Sequence, residues 1–139
     1  MPRLRIVLDT NVLVSALMGG AGPPDDVLQL LLRREAILLA DSRIIAEYDE
    51  VTSRPKFNFP QWKRVGMLET IVLVAEPVIA SPLRLSLPDP DDRLFIEVAV
   101  AGAADYIITG NAKHFAPLPV SLNVQVRTPR QLMDELRHV

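Results

Sequence analysis

The sequence predicts a single α/β domain in three layers, with a mainly parallel sheet between helices. Three observations carry that reading. Short, wholly apolar runs such as Ile6-Val7-Leu8 and Tyr106-Ile107-Ile108 show the unbroken apolarity of strands covered on both faces. Helix-start signals separate these runs, so strand and helix alternate along the chain. Two of the runs end on polar side chains, Asp9-Thr10-Asn11 and Thr109-Gly110-Asn111, and in open α/β sheets the ligand crevice lies outside the carboxyl ends of the strands.

In chain order, the segment from Val12 to Met18 is apolar enough for a buried helix, which Gly19-Gly20-Ala21-Gly22 breaks. Pro23-Pro24-Asp25-Asp26 opens a second helix with Val27, Leu28, Leu31 and Leu32 at helical spacing, and Arg33-Arg34 suit its carboxyl end. Ala36 to Ala40 is the next strand. Asp41-Ser42 starts a helix that runs to about Arg54, before Pro55. At ~100° per residue, Ile44, Ile45, Tyr48 and Val51 share one arc, and Glu47 lies about 40° from Val51 at its edge. A glutamate hugging an apolar face reads as a surface residue, as a partner for a nearby arginine, or as a group turned toward a site.

Glu76 to Ala80 reads as a strand or as part of a proline-broken connection. Leu87-Pro88-Asp89-Pro90-Asp91-Asp92 is a helix start, with Asp89 as N-cap, Pro90 in the first turn and two acids beside it. The helix that follows, Leu94 to Ala104, is apolar nearly all round and therefore central. Capping accounts for the three aspartates without any chemistry, yet so much negative charge at the head of a buried helix calls for something cationic to meet it. After the Tyr106–Thr109 strand, Lys113-His114-Phe115 sits on a short turn. Asn123 to Val126 alternates polar and apolar side chains, as an edge strand does, and Thr128-Pro129 caps a closing helix through Leu136.

Composition bounds the chemistry. At 139 residues the chain is one domain, 1–139, with no repeats or linkers, and its formal charge of −2 gives no whole-molecule sign of a nucleic-acid binder. There is no cysteine, and His114 and His138 are the only histidines, so a metal would be held by oxygen, which favours Mg²⁺ or Mn²⁺ over zinc. With neither a secretory leader pattern nor an apolar run near the ~18 residues of a membrane span, a cytoplasmic location is expected. A local basic patch is available: no acid falls between Val51 and Leu68, where Arg54, Lys56, Lys63 and Arg64 are interleaved with Phe57, Phe59 and Trp62. That is three of the seven aromatics in the chain, and bases can stack on such a surface while the cations hold phosphates. The alternative is a plain helix begun at Pro60 with its charges in solvent.

If Asp9 and Thr109-Gly110-Asn111 end neighbouring strands, they face one crevice that Asp92 and Glu47 can line. Several carboxylates converging without a matching basic cluster repel one another, and a divalent cation resolves that repulsion.

The blocks Leu8-Asp9-Thr10-Asn11, Glu47-Tyr48 leading to Arg54-Pro55-Lys56-Phe57, Asp89-Pro90-Asp91-Asp92-Arg93 and Asp105-Tyr106-Ile107-Ile108-Thr109-Gly110-Asn111 with His114-Phe115 resemble the PIN domain, in its bacterial toxin-like branch related to VapC ribonucleases. The resemblance covers nearly the entire chain. It implies a metal-dependent endoribonuclease acting on single-stranded RNA and leaving a 5′-phosphate, with Asp9, Glu47 and Asp92 holding Mg²⁺ or Mn²⁺. It also implies a homodimer restrained by a small antitoxin. Many members carry an acid where this chain has Asn111, which can orient a water but adds no charge, so a second metal site is in doubt. The RNA path is expected along Arg54, Lys56, Lys63, Arg64 and Lys113, with Arg93 as a further cation. Two other readings stay open: a non-catalytic RNA- or partner-binding module, and a phosphatase with Asp9 as nucleophile, weakened because Asn11 stands where that chemistry wants a second acid.

Overall fold

The computed structural model describes residues 2–115 and 118–138; Met1, Ala116, Pro117 and Val139, which the expected domain of 1–139 includes, lie outside them. Strands β1 (Arg5–Leu8), β2 (Ile37–Ala40), β3 (Glu76–Pro77), β4 (Tyr106–Ile108) and β5 (Gln125–Arg127) form one sheet in the order β3-β2-β1-β4-β5. Every neighbouring pair is parallel. The sheet is flanked by α1 (Thr10–Leu17), α2 (Pro23–Leu32), α3 (Ser42–Thr52), α4 (Gln61–Val74), α5 (Arg93–Ala101) and α6 (Pro129–Arg137). This is the expected three-layer α/β fold. Among the described residues no helix is long and apolar enough to cross a membrane.

The central strands follow from their composition. Ile6, Val7, Leu8, Ile107 and Ile108 are fully buried, as the interior of a sheet covered on both faces requires. β1 lies in the middle, and the chain adds strands outward on one side (β2, β3) and then on the other (β4, β5). That reversal between β1 and β4 is where a crevice opens at the strand ends. The edge position expected for the last strand is observed, with its bounds shifted to Gln125–Arg127.

Three elements differ from expectation. The first helix begins at Thr10 rather than Val12, so Asp9 is its N-cap residue and β1 passes into α1 with no loop. The strand around Glu76 shrinks to two residues, because Pro77 and Pro82 keep the following segment out of regular pairing. The central helix starts as a 3₁₀ turn, Pro90–Asp92, and ends at Ala101 rather than Ala104. There Ala103 takes the left-handed conformation (φ 51°) and Ala104 N–H donates back to Ala99 O at 2.8 Å. Gly102 does not supply the positive φ. It allows close approach, since a Cβ there would lie 2.8 Å from Leu39 Cδ1.

Helix α5 is less uniformly apolar than its sequence suggests, because Glu97 is buried on it, 5% exposed. Its carboxylate accepts from Arg43 Nη1 and from Leu83 N, both at 2.8 Å, and so ties α5 to α3 and to the irregular segment before Asp89. Burial alone would push this carboxyl up, but the hydrogen bonds from Arg43 and Leu83 outweigh it and hold it below the usual glutamate range.

Helix α3 is locked to the end of β1 by Tyr48, whose buried hydroxyl donates to Leu8 O at 2.5 Å. Tyr48→Phe leaves that carbonyl without its buried partner and is expected to cost about 1–2 kcal/mol. Urea unfolding should show a lower midpoint at unchanged slope; an unmoved midpoint would mean that the bond contributes nothing to the docking of α3.

Candidate active site

Asp9 stands one residue beyond β1. Its N–H donates to Ile108 O at 2.9 Å, which extends the β1–β4 ladder and places Asp9 against the end of β4. Thr109 Oγ1 then donates to Asp9 Oδ2 at 2.7 Å, while Asn111 N–H donates to Thr109 Oγ1 at 3.1 Å. The same strand end is closed from the other side by Asn11, whose Oδ1 accepts from Gly110 N at 3.1 Å. The polar residues that end β1 and β4 thus bond to one another across the crevice.

Glu47 reaches the crevice from α3, where Thr10 Oγ1 donates to its Oε2. Asp92 enters from the turn before α5. Among the described residues its Oδ2 is the buried side-chain oxygen left without a hydrogen-bond partner; His114 Nδ1, 4.0 Å away, is too distant for one. The other ring nitrogen of His114, Nε2, lies 3.0 Å from Asn111 Nδ2. The four residues expected to form the site therefore lie around the carboxyl ends of β1 and β4, held there by Thr10, Thr109 and the turn before α5.

The electrostatics are unfavourable in the way the sequence suggested. Burial, and after it the charges of Asp9 and Asp89, push the Asp92 carboxyl up to about 6. Burial raises Asp9 above its ordinary value although the Thr109 hydroxyl partly counters it. Glu47 is raised by burial, with the Thr10 hydroxyl opposing and the negative charge of Asp9 adding to the effect. Asp89 caps the 3₁₀ turn by accepting from Asp91 N at 2.9 Å, as expected of a helix-start residue, yet its charge also reaches Asp9 and Asp92.

The donor set is all oxygen and fits Mg²⁺ or Mn²⁺ by its chemistry, and the orphaned Asp92 Oδ2 is an atom that such an ion would satisfy. Among the described residues no three acidic or imidazole side chains converge tightly enough to enclose an ion by themselves. A hard cation held by one or two carboxylates and completed by water matches that spacing, which is how Mg²⁺ is ordinarily bound.

The expected basic rim is partly spent on internal contacts. Arg54 pairs with Glu50 at 2.9 Å, Arg64 with Asp49 at 2.5 Å, and Lys63 Nζ donates to Leu17 O at 3.0 Å. Lys56 Nζ lies 5.0 Å from the Phe57 ring centre, and that ring stacks on Phe59. The stretch from Gln61 is the plain helix weighed as the alternative, with Trp62 79% exposed. Lys113 is exposed on the 3₁₀ turn after Asn111. Sequence reasoning did not assign roles to Thr10, Asn11 or His114; the signal for each was its place beside a candidate acid or amide in the two strand-end blocks.

A parallel sheet that reverses at its central strand, with carboxylates around the crevice at the reversal, defines the class as a three-layer α/β domain with an acidic face at its strand ends. The chain belongs to the PIN domain family, whose model matches residues 5–113, a span that includes Asp9, Glu47, Asp92 and Asn111. It is 23% identical to an uncharacterized protein of Methanocaldococcus jannaschii over 143 residues, covering 96% of this chain and 92% of that protein. Among solved structures it is similar to VapBC2 from Rickettsia felis bound to a DNA fragment from their promoter, with a TM-score of 0.60 and 20% identity over 90% of this chain and 98% of that one. This likeness extends to the fold.

A carboxyl raised by folding binds its proton more tightly in the native state, so its contribution to stability is complete below its unfolded value and is lost as pH rises through the folded one. For Asp92 that window runs from 3.8 to about 6. In metal-free buffer Asp92→Asn should therefore melt higher than the parent above the window, the difference vanishing at its acid end. Thermal melts across the pH range check this; a variant that melts lower than the parent above the window would show that Asp92 is not electrostatically strained.

Proposed function

We propose that this chain is a Mg²⁺- or Mn²⁺-dependent endoribonuclease and the toxin of a toxin–antitoxin pair. The observation that carries the reading is the set of mutually repelling carboxylates at the β1–β4 reversal, Asp9 buried and Glu47 and Asp92 half-buried, with one Asp92 oxygen unsatisfied. Stability alone gives no reason to keep such a cluster, whereas pKa values raised by burial and like charge are typical of functional sites.

Asp9, Glu47 and Asp92 would hold the ion, directly or through water. Thr109 and Thr10 each donate to one carboxylate oxygen, of Asp9 and Glu47 respectively, and so fix how each acid is presented at the strand ends. When bound, the ion would offset the acids' charge, acidify a water for in-line attack on an RNA phosphodiester and stabilise charge on the phosphate. Asn111 would orient a water with its amide, and the product strand would carry a 5′-phosphate. Exposed Lys56 and Lys113, together with Arg54, Lys63 and Arg64 where their internal contacts allow, would steer RNA toward the acids. The toxin role, a homodimer and an antitoxin partner rest on the family resemblance and on the similarity to VapBC2 of Rickettsia felis, and a cytoplasmic location is proposed alongside them.

A non-catalytic RNA-binding module is the second reading. It is favoured by Asn111 in place of an acid and by the loose spacing of the carboxylates. Calorimetric titration with Mn²⁺ separates the two: the module reading expects salt-sensitive RNA binding with no Mn²⁺ binding.

Under the nuclease reading, Asp9→Asn and Asp92→Asn each lower Mn²⁺-dependent RNA cleavage by about a hundred-fold or more while the circular dichroism spectrum is retained. Cleavage at the parent's rate by Asp9→Asn, in nuclease-free preparations, would overturn the proposal. Lys56→Ala with Lys113→Ala should flatten the log–log salt dependence of RNA binding by about 0.7 per lost phosphate contact. An unchanged slope would remove both lysines from the RNA path.

A further inference from the structure

We propose that the cavity between the starts of α1, α2 and α6 is a subsite for the nucleotide of single-stranded RNA next to the cleaved phosphodiester. The inference rests on the ribonuclease reading and extends it to a second place on the molecule. The cavity measures about 500 Å³, inside the roughly 300–1,000 Å³ range of small-ligand sites. It meets the candidate site at Gly110 and Asn111, which form part of its wall and follow Thr109, the hydroxyl partner of Asp9.

Its chemistry is opposite to that of the acid cluster. The lining contains no carboxylate, and Arg130 is its one charged side chain among the described residues. Asn11 accepts from Gly110 N through Oδ1, which leaves its Nδ2 amino group as the donor end of the amide. Asn11 Nδ2, the Ser15 hydroxyl and the Arg130 guanidinium have no hydrogen-bond or ion-pair partner among the described residues. Donors without acceptors suit a ligand made of acceptors, and the phosphate and ribose oxygens of a nucleotide are such a set. Pro23, Pro24 and Pro129 supply flat apolar walls on which a sugar or base can lie.

A polyanion at the acid cluster is repelled on every side except where a cation sits. The neighbouring phosphate needs a place close by that does not repel it, and this cavity shares a wall with the site. The arginine comes from α6, beyond the residues 5–113 matched by the family model.

The test uses the full chain and a short fluorescent oligoribonucleotide, with Ca²⁺ replacing Mg²⁺ during anisotropy titrations, and Mn²⁺ calorimetry in parallel. Arg130→Ala should weaken RNA binding by about five-fold and take about 0.7 off the salt slope. Ser15→Trp, at an exposed position on α1, should fill the cavity and weaken binding by about ten-fold or more. Both should keep the parent's Mn²⁺ affinity and circular dichroism spectrum. RNA affinity and salt slope equal to the parent's in Arg130→Ala, or in a folded Ser15→Trp, would overturn the subsite while leaving the nuclease reading standing. Tighter binding of the matching DNA strand would overturn the assignment to RNA. A parent chain that binds neither Mn²⁺ nor RNA would overturn both proposals.

Discussion

The parallel pairing of β1 with β4 is the constraint on which the site depends. Its register sets Leu8 opposite Ile108, and the bond from Asp9 N to Ile108 O carries the ladder one residue further, past the last apolar pair. Asp9 and Thr109 are thereby fixed side by side at the place where the strand order reverses. The other parts are brought to that point by separate devices. Tyr48 ties α3 to the end of β1 and so delivers Glu47, and the Asp89-capped turn at the head of α5 delivers Asp92. A slip of the β1–β4 register would separate Asp9 from its hydroxyl partner and exchange the two sheet faces on which the apolar side chains pack.

Two kinds of acid withdrawn from solvent coexist in the fold, Glu97 buried and Asp92 half-buried, and their surroundings tell them apart. Glu97 is enclosed by hydrogen bonds from Arg43 and Leu83, and is held below the usual glutamate range despite its burial. Asp92 has an unsatisfied oxygen, acidic neighbours and a carboxyl raised to about 6. The first arrangement is the way a protein makes a charge structural. The second keeps the charge strained, and such strain is commonly retained where a site needs it.

The basic side chains show the same division of labour. Arg54, Lys63 and Arg64 lie close together in sequence, but folding commits them to Glu50, the end of α1 and Asp49. Positive charge available to a polyanion is accordingly more dispersed than a reading of the chain suggests. It lies in groups such as Lys56, Lys113 and Arg130, which belong to different parts of the sequence.

Much of this was legible before folding because it is encoded locally. Unbroken apolar runs identified β1, β2 and β4; proline, acids and Asp41, Asp89 or Thr128 marked the heads of helices; Asp9 was recognisable as a carboxylate at a strand end, and Glu47 as a glutamate turned away from free solvent. Capping and periodicity act over a few residues, so the sequence states them directly. It could not state which side chains meet across the fold. That Glu97 is buried and neutralised by Arg43, that Arg64 is paired with Asp49, that Thr10 and Thr109 hold the acids, and that Arg130 shares a cavity with Asn11 were decided only by tertiary structure. The physical reason is that burial and charge pairing depend on distances between residues up to about a hundred positions apart, such as Asp9 and Thr109, and those distances exist only once β1 and β4 have paired.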